Sequence, residues 1–215
     1  MTRSTGPAPF TGFTSEASAF FRGLRDDNSK GWFEAHRDVY EASVRQPLED
    51  LLGQVQDAYG EGRVTRPNRD VRFSPDKSPY KTTASMWAGE VGGVYLSVGP
   101  DGLDVGGGLY GPSRDQLARA RAAIADRPRA ADDLRAIVSR LESRGFEMAG
   151  PPLKTAPRGY DRDHPQVELL RLTHYAAIAK LPVDASPQKI RGIWRSVEPL
   201  IAWTAENVGP AVSWP

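Results

Sequence analysis

Residues 94–105 read Val-Tyr-Leu-Ser-Val-Gly-Pro-Asp-Gly-Leu-Asp-Val. The runs 94–98 and 103–105 alternate apolar with polar residues, which is typical of strands that bury one face. The sequence Gly-Pro-Asp-Gly between them favours a tight turn, because glycine and proline supply the backbone angles that such turns need. The stretch therefore predicts a β-hairpin and, with it, an antiparallel sheet.

Further strands are predicted on the N-terminal side of this hairpin. Residues 69–73, Arg-Asp-Val-Arg-Phe, have a period of two and predict a strand, and the next four residues, Ser-Pro-Asp-Lys, have the order of a type I turn. Another strand is predicted from Thr82 to Trp87. Together these runs place a central antiparallel sheet at about residues 64–110.

Helical periodicity precedes this predicted sheet. After a tail at residues 1–9, Thr14 or Ser15 is placed to cap a short helix. Apolar residues then recur three or four positions apart from about residue 32 to 59, which predicts a long helix. Pro47 lies inside this run and predicts a kink or two abutting helices.

Helices are also predicted after the sheet. Ser113 and Gln116 have the spacing of a capping box, and Gly145 is placed to end a further helix that starts near Ala130. Pro165 suits the first turn of a short helix, and residues 186–187, Ser-Pro, open the last long one. The order of helices, strands and helices predicts an α+β fold, with the sheet packed against N-terminal and C-terminal helices.

Composition limits the class of protein. The chain has 215 residues, 28 Lys plus Arg against 27 Asp plus Glu, and no Cys. The balanced charge excludes the global basicity of a dedicated nucleic-acid binder, and the lack of Cys excludes disulfides and thiolate sites. Nowhere does the chain have the roughly 18 consecutive apolar residues of a membrane helix. We expect one cytoplasmic domain over residues 10–215 with no membrane partner.

The densest group of charged residues lies in the predicted strand and turn. Residues 63–81 contain six cationic side chains and two carboxylates, a local surplus of four in a nearly neutral chain. Arginine offers a planar fork of donors and lysine a mobile charge, so such a group suits an anionic ligand. The predicted ligand-binding residues here are Arg69, Arg72, Lys77 and Lys81.

Two carboxylates lie among these cations, Asp70 and Asp76. On a strand, Asp70 and Arg72 would project to the same face, about 6.6–7 Å apart. These carboxylates are the candidate catalytic residues, able to hold an arginine in place, accept a proton or help to ligate a divalent cation. The structural alternative is an ion-pair-rich strand edge, where charges prevent unwanted strand pairing.

A second candidate region lies at residues 157–168. Arg158 stands beside a glycine in a predicted loop and is a candidate further anion contact. His164 and Glu168 are four residues apart, so a metal site on one helical face is one interpretation. Capping of the short helix by Asp163 or His164 is the favoured alternative. No metal site is therefore assigned, and the cofactor stays open.

Two smaller features near the basic residues each have two interpretations. Residues 106–108, Gly-Gly-Gly, are typical of a bend or bulge in a strand, although glycines also let phosphates approach backbone donors. Trp87 is expected to pack in the core, with pocket lining or stacking on a ligand ring as the alternative.

The motif at residues 69–82 resembles the signature of a family catalogued as domain of unknown function 2461. It reads Arg-Asp-Val-Arg-Phe-Ser-Pro-Asp-Lys-Ser-Pro-Tyr-Lys-Thr. The flanking features that share the resemblance are Gly12-Phe13 with Phe20, Asn28 with Trp32-Phe33, the run 105–110, Arg158-Gly159-Tyr160, Asp163-His164-Pro165 and the run 168–171. The resemblance spans about residues 10–205 and implies a single full-length domain without naming a reaction.

The function predicted from these residues is binding of a phosphate- or carboxylate-bearing small molecule in a basic pocket, with an enzyme of unnamed reaction left open. The alternative is a non-catalytic module whose basic face binds RNA or an acidic protein partner. The alternative ranks second because the chain lacks an arginine-rich tail and the interleaved aromatic and basic residues of RNA-binding modules.

Overall fold

The computed structural model describes residues 9–70, 72 and 76–212, so the predicted tail lies outside the described residues except for Pro9. Its strands are β1 Gly62–Val64, β2 Ala84–Gly89, β3 Gly93–Gly99, β4 Gly102–Leu109, β5 Glu147–Met148 and β6 Tyr175–Leu181. They form one six-stranded antiparallel sheet in the order β1-β2-β3-β4-β6-β5. The predicted α+β fold is confirmed, and the sheet also takes in strands far beyond residue 110.

Helices precede and follow the central strands. They are α1 Ser15–Asp26, α2 Lys30–Ala35, α3 Arg37–Tyr40, a π-helical segment Glu41–Arg45, α4 Gln46–Tyr59, α5 Arg114–Asp126, α6 Pro128–Glu142, α7 Val167–Leu170 and α8 Pro187–Asn207. The described residues of Met1–Gly89, Tyr95–Val105 and Lys180–Arg191 form a first compact unit. Those of Glu90–Val94, Gly106–Ala179 and Gly192–Pro215 form a second.

Pro47 divides the long helical run, as the sequence predicts. Helix α4 begins at Gln46 and continues the π-helical segment without a break, so Pro47 lies inside a helical run to which it donates no N–H. The proline ring would clash with the carbonyl of Ser43 in a regular helix, and Ser43 lies in the π-helical segment instead. The run is also broken at His36, between α2 and α3.

The predicted hairpin is confirmed as β3 and β4, and the strand predicted near residues 82–87 is confirmed as β2. Glycine is required along β4. A Cβ atom on Gly106 would lie 2.0 Å from the carbonyl oxygen of Ala177, and one on Gly108 would lie 2.2 Å from that of Tyr175. The glycine run therefore lets β6 pack closely on β4, which supports its interpretation as a structural feature of a strand.

In the first unit, the helices cover one face of the sheet. Met86, Leu96 and Val98 alternate along β2 and β3 and are fully buried. An aromatic cluster from α1, α2 and α3 is buried in the same unit and includes Phe21 and Phe33. Ser85, Trp87 and Tyr95 occupy the intervening positions of these strands and project from the opposite face.

The predicted strand at residues 69–73 is wrong for Arg69, Asp70 and Arg72, which lie outside regular strand pairing; Val71 and Phe73 lie outside the described residues. One isolated antiparallel bridge joins Asn68 to Tyr80. The N–H of Arg69 donates to the carbonyl of Pro79, and that of Lys81 donates to Pro67, each at 2.9 Å. The two prolines have no N–H to donate in return, so the ladder ends here.

Candidate functional site

The candidate site is the segment that joins β1 to β2, and residues 66–81 are called the basic loop below. Its described residues are 66–70, 72 and 76–81, so the Ser74-Pro75 half of the predicted turn lies outside them. The bridge between Asn68 and Tyr80 closes the loop at its base. Arg69 and Lys81 flank this bridge, and Asp70, Arg72, Asp76 and Lys77 lie beyond it, at the tip of the loop.

Asn28 fixes the base of the loop from 52 residues away along the chain. Its amide nitrogen donates to the carbonyl of Tyr80 at 3.1 Å, and its amide oxygen accepts from the N–H of Tyr80 at 3.0 Å. The Tyr80 ring is buried and stacks on Phe33, with centroids 4.1 Å apart and an interplanar angle of 9°. The base is therefore held by two hydrogen bonds and one buried aromatic contact.

At the tip, Arg72 and Asp70 form a bidentate ion pair. Nε and an Nη of Arg72 donate to the two carboxylate oxygens of Asp70 at 3.0 and 2.7 Å, and the Arg72 N–H donates to the same carboxylate at 3.2 Å. Both side chains are more than half exposed. Asp70 and Arg72 lie close together, as predicted. A bend in the backbone and an ion pair bring them together, not a strand.

A second ion pair joins Arg69 to Asp76 across the loop. The Ser78 N–H donates to Asp76 at 2.9 Å, so this carboxylate also stabilises the backbone on the C-terminal side of the loop. Arg69 is the less exposed of the pair. Lys77 is exposed and Lys81 is half-buried. The structure thus divides the predicted site residues into two ion pairs and two flanking lysines.

Both carboxylates are stabilised in their charged form. Hydrogen bonds from the Arg72 side chain and backbone lower the pKa of Asp70. Hydrogen bonds from the Ser78 hydroxyl and N–H lower the pKa of Asp76, and the charge of Arg69 adds to this. A carboxylate with a lowered pKa is a weaker base at neutral pH, so the geometry favours orientation of the arginines over proton transfer.

Trp87 and Arg63 contact each other on the face of the sheet that the helices of the first unit do not cover. They are directly opposite each other in the pairing of β1 with β2. The guanidinium carbon of Arg63 lies 5.5 Å from the centroid of the Trp87 ring, and Trp87 is 39% exposed. The prediction that Trp87 packs in the core is therefore wrong.

Hydroxyl groups continue this face across β2 and β3. The Ser85 hydroxyl donates to that of Ser97 at 3.0 Å and is hydrogen-bonded to the Tyr95 hydroxyl at 3.2 Å. Ser97 also lines a cleft of about 150 Å³ beside the hairpin turn, together with Asp104 and Lys180. The face thus offers two aromatic rings, one guanidinium and several hydroxyls.

A family model described as "Conserved hypothetical protein (DUF2461)" matches residues 16–203. The chain belongs to this family. The resemblance expected from the motif at residues 69–82 is thereby confirmed. A comparison with curated proteins finds no match. In the described part of this DUF2461 chain, no helix is both long enough and apolar enough to cross a membrane.

The second candidate region of this DUF2461 protein is organised by local hydrogen bonds. His164 Nδ1 accepts from the N–H of Gln166 at 3.0 Å, an Asp161 carboxylate oxygen accepts from the N–H of Asp163 at 3.0 Å, and Glu168 pairs with Arg171 at 3.0 Å. Among the described residues, no three His, Asp or Glu side chains gather in a way that could hold a metal ion. The predicted cap is wrong, because α7 begins at Val167 after Gln166 and has no side-chain cap, so Pro165 also lies before its first turn.

Arg158 lies in the second unit, in a turn with an exposed side chain. Its role as a further anion contact stays a prediction. Pro165, Gln166 and Glu168 help to line a groove of about 550 Å³ within the second unit.

Sequence reasoning assigned no role to Asn28, and it assigned none to Arg63 beyond its charge. Their partners lie on other elements of the chain, which local spacing does not show.

Proposed function

We propose that this DUF2461 protein binds a phosphate- or carboxylate-bearing ligand at the tip of the basic loop. The observation that carries the proposal is the surplus of three cationic side chains over carboxylates on the basic loop, whose base is fixed by Asn28 and Tyr80. A fixed base lowers the entropy lost when the tip binds a ligand. The exposed position favours an open binding surface over a closed pocket.

The ion pairs at the tip are compatible with binding. An exposed ion pair contributes little to stability, because water screens it and its side chains lose entropy. A phosphate monoester carries more charge than one carboxylate and accepts two parallel hydrogen bonds from an arginine. A ligand phosphate therefore displaces Asp70 from Arg72 at low cost, and Asp70 competes with the ligand for the guanidinium.

The lowered pKa values of Asp70 and Asp76 keep both groups ionised and weakly basic near neutral pH. In the proposed function both carboxylates pair with arginines of the free protein, and no reaction is assigned to them.

The test is isothermal titration calorimetry of the full chain with inorganic pyrophosphate and with citrate, which measures the dissociation constant of each anion. Arg72→Glu should weaken binding of the preferred anion at least about tenfold, since it removes charge-assisted hydrogen bonds and adds repulsion. Arg135→Glu is the matched control, because Arg135 forms a comparable exposed pair with Asp132 at 2.7 Å in the second unit. We expect the control to bind like the wild type.

Two results would count against the proposal. Equal affinity of Arg72→Glu and wild type would remove the loop tip from the binding site. Unfolding of Arg72→Glu at a temperature where Arg135→Glu stays folded would show that the ion pair is architectural.

The exposed loop and the exposed Trp87 favour a second candidate function, a non-catalytic module that binds RNA or an acidic protein partner. Salt dependence separates the two functions. Each neutralised phosphate of a nucleic acid releases a counterion, so affinity for a polyanion falls by orders of magnitude over a modest rise in salt. Affinity for pyrophosphate should fall more gently.

A further inference from the structure

We infer that a groove in the second unit binds an extended peptide of a protein partner, which adds as a strand to β5. The peptide places an apolar side chain in the groove and a lysine or arginine two residues away. The groove does not include the basic loop, so the inference goes beyond the proposed function. Three observations carry it: a free strand edge, an apolar groove and a carboxylate that pairs with no described cation.

The N–H and the carbonyl of Met148 lie on the free edge of β5. β5 is the last strand of the described sheet, and Met148 lies opposite Ala177 of β6. The N–H of the next residue, Ala149, donates to the carbonyl of Ala176 at 2.8 Å. Backbone groups alternate in direction along an antiparallel strand, so those of Met148 point away from β6. They are therefore available to an added strand.

An added strand would direct a side chain into the groove. Met148 and Ala177 are cross-strand neighbours, and both pack into the core of the second unit, so they lie on the same side of the sheet. The residue opposite Met148 on an antiparallel strand projects to this same side. Because Met148 lines the groove, the side chain of that residue enters the groove beside it.

The groove suits an apolar side chain. It has a volume of about 550 Å³ and is lined by the half-buried side chains of Val138, Met148 and Leu172 and by buried Leu169. The half-buried side chains keep part of their apolar surface in water. A leucine, isoleucine or methionine of a peptide would cover that surface, which favours binding.

The charges at the groove favour a cationic neighbour for that side chain. Arg135 and Glu168 line the groove but are already paired, with Asp132 and Arg171. Glu142 is exposed and has no ion-pair partner among the described residues. It is the last residue of α6, where the negative end of the helix dipole also attracts a cation.

The spacing along α6 matches the spacing along a strand. Helix α6 contacts β5, and Val138 and Glu142 lie four residues apart on one face of the helix, about 6 Å along its axis. Residues i and i+2 of a strand also share one face and are about 6.6–7 Å apart. A peptide with its apolar side chain at Val138 therefore brings the side chain two residues away to Glu142.

The test is fluorescence anisotropy of the full chain with a fluorescein-labelled peptide Thr-Lys-Thr-Leu-Thr-Lys-Thr. Glu142→Lys should weaken binding roughly three- to tenfold, since it replaces an attraction by a repulsion, and should bind the peptide with glutamate at both lysine positions more tightly than the wild type does. Asp133→Lys is the matched control and should bind like the wild type. Asp133 is an exposed carboxylate on the same helix, and nine residues place it on the opposite side from Glu142.

A second peptide tests the added strand. Methylation of the leucine nitrogen leaves every side chain and charge in place, but it removes the N–H that donates to the carbonyl of Met148. The methylated peptide should bind at least about tenfold more weakly. Glu142→Lys should fold normally, because the helix dipole favours a cation at the C-terminal end of a helix.

Three results would overturn the inference. Equal binding of the methylated and unmethylated peptides would exclude an added strand. Equal effects of Glu142→Lys and Asp133→Lys would place the peptide outside the groove, and failure of the leucine peptide to bind the wild type would exclude the site. None of these results bears on pyrophosphate binding at the basic loop, so the proposed function is tested separately.

Discussion

The base and the tip of the basic loop are adjacent in the chain, but their side chains differ in environment. At the base, Tyr80 is buried against Phe33 and both backbone groups of Tyr80 are hydrogen-bonded to Asn28. At the tip, the ion pair of Arg72 with Asp70 is open to water. One short motif therefore combines a structural half with a half available for binding, and substitutions should affect stability in one and affinity in the other.

The largest effect on stability is expected at Tyr80. Tyr80→Ala removes a buried ring and its stacking on Phe33, and truncation of a large buried aromatic costs about 3–5 kcal/mol. Urea denaturation followed by circular dichroism measures the free energy of unfolding. A loss below about 1 kcal/mol would mean that the base does not fix the loop.

A smaller loss of stability is expected at Asn28. Asn28→Ala leaves the N–H and the carbonyl of Tyr80 without their partner, at a cost of about 1–3 kcal/mol for a buried group left unsatisfied. Asn68→Ala is the control from the same loop, because Asn68 is exposed; its free energy of unfolding should change by less than about 0.5 kcal/mol. Equal losses in the two variants would contradict the role assigned to Asn28.

The smallest effect on stability is expected at Asp70. Its pKa is lowered in the folded protein, so its contribution is present above the unfolded value of about 3.9 and is lost as the pH falls through the lower folded value. Asp70→Asn should melt slightly below the wild type near neutral pH and together with it in strong acid. A difference in Tm that grows as the pH falls would have the wrong sign.

Local patterns predicted much of the fold, and distant partners account for what they missed. The hairpin of β3 and β4 was predictable because its strands and its turn are contiguous. Strand β6 was missed because it is rich in alanine and is buried by packing against the glycines of β4, which a local pattern does not reveal. Helix α5 was predictable because its capping box is contained within Ser113 to Gln116.

The sequence predicted which charged residues form the candidate site, but it did not predict the hydrogen bonds and ion pairs that these residues make. The alternation at residues 69–73 resembled a strand, but Pro67 and Pro79 cannot donate hydrogen bonds and Asp70 turns back to pair with Arg72. The role of Asn28 depends on a contact 52 residues away along the chain, which spacing alone does not show. Charge counts therefore located the loop, whereas its division into base and tip required coordinates.

The central claim, that the tip binds an anion and the base only supports it, is tested most directly by the pyrophosphate affinity of Asp70→Asn measured beside that of Arg72→Glu. Removal of the carboxylate that competes for Arg72 should strengthen binding, whereas reversal of the arginine charge should weaken it. Opposite changes from the two halves of one ion pair are the predicted result. If both substitutions weaken binding, or if neither changes it, the ion pair is structural and the account of the tip is wrong.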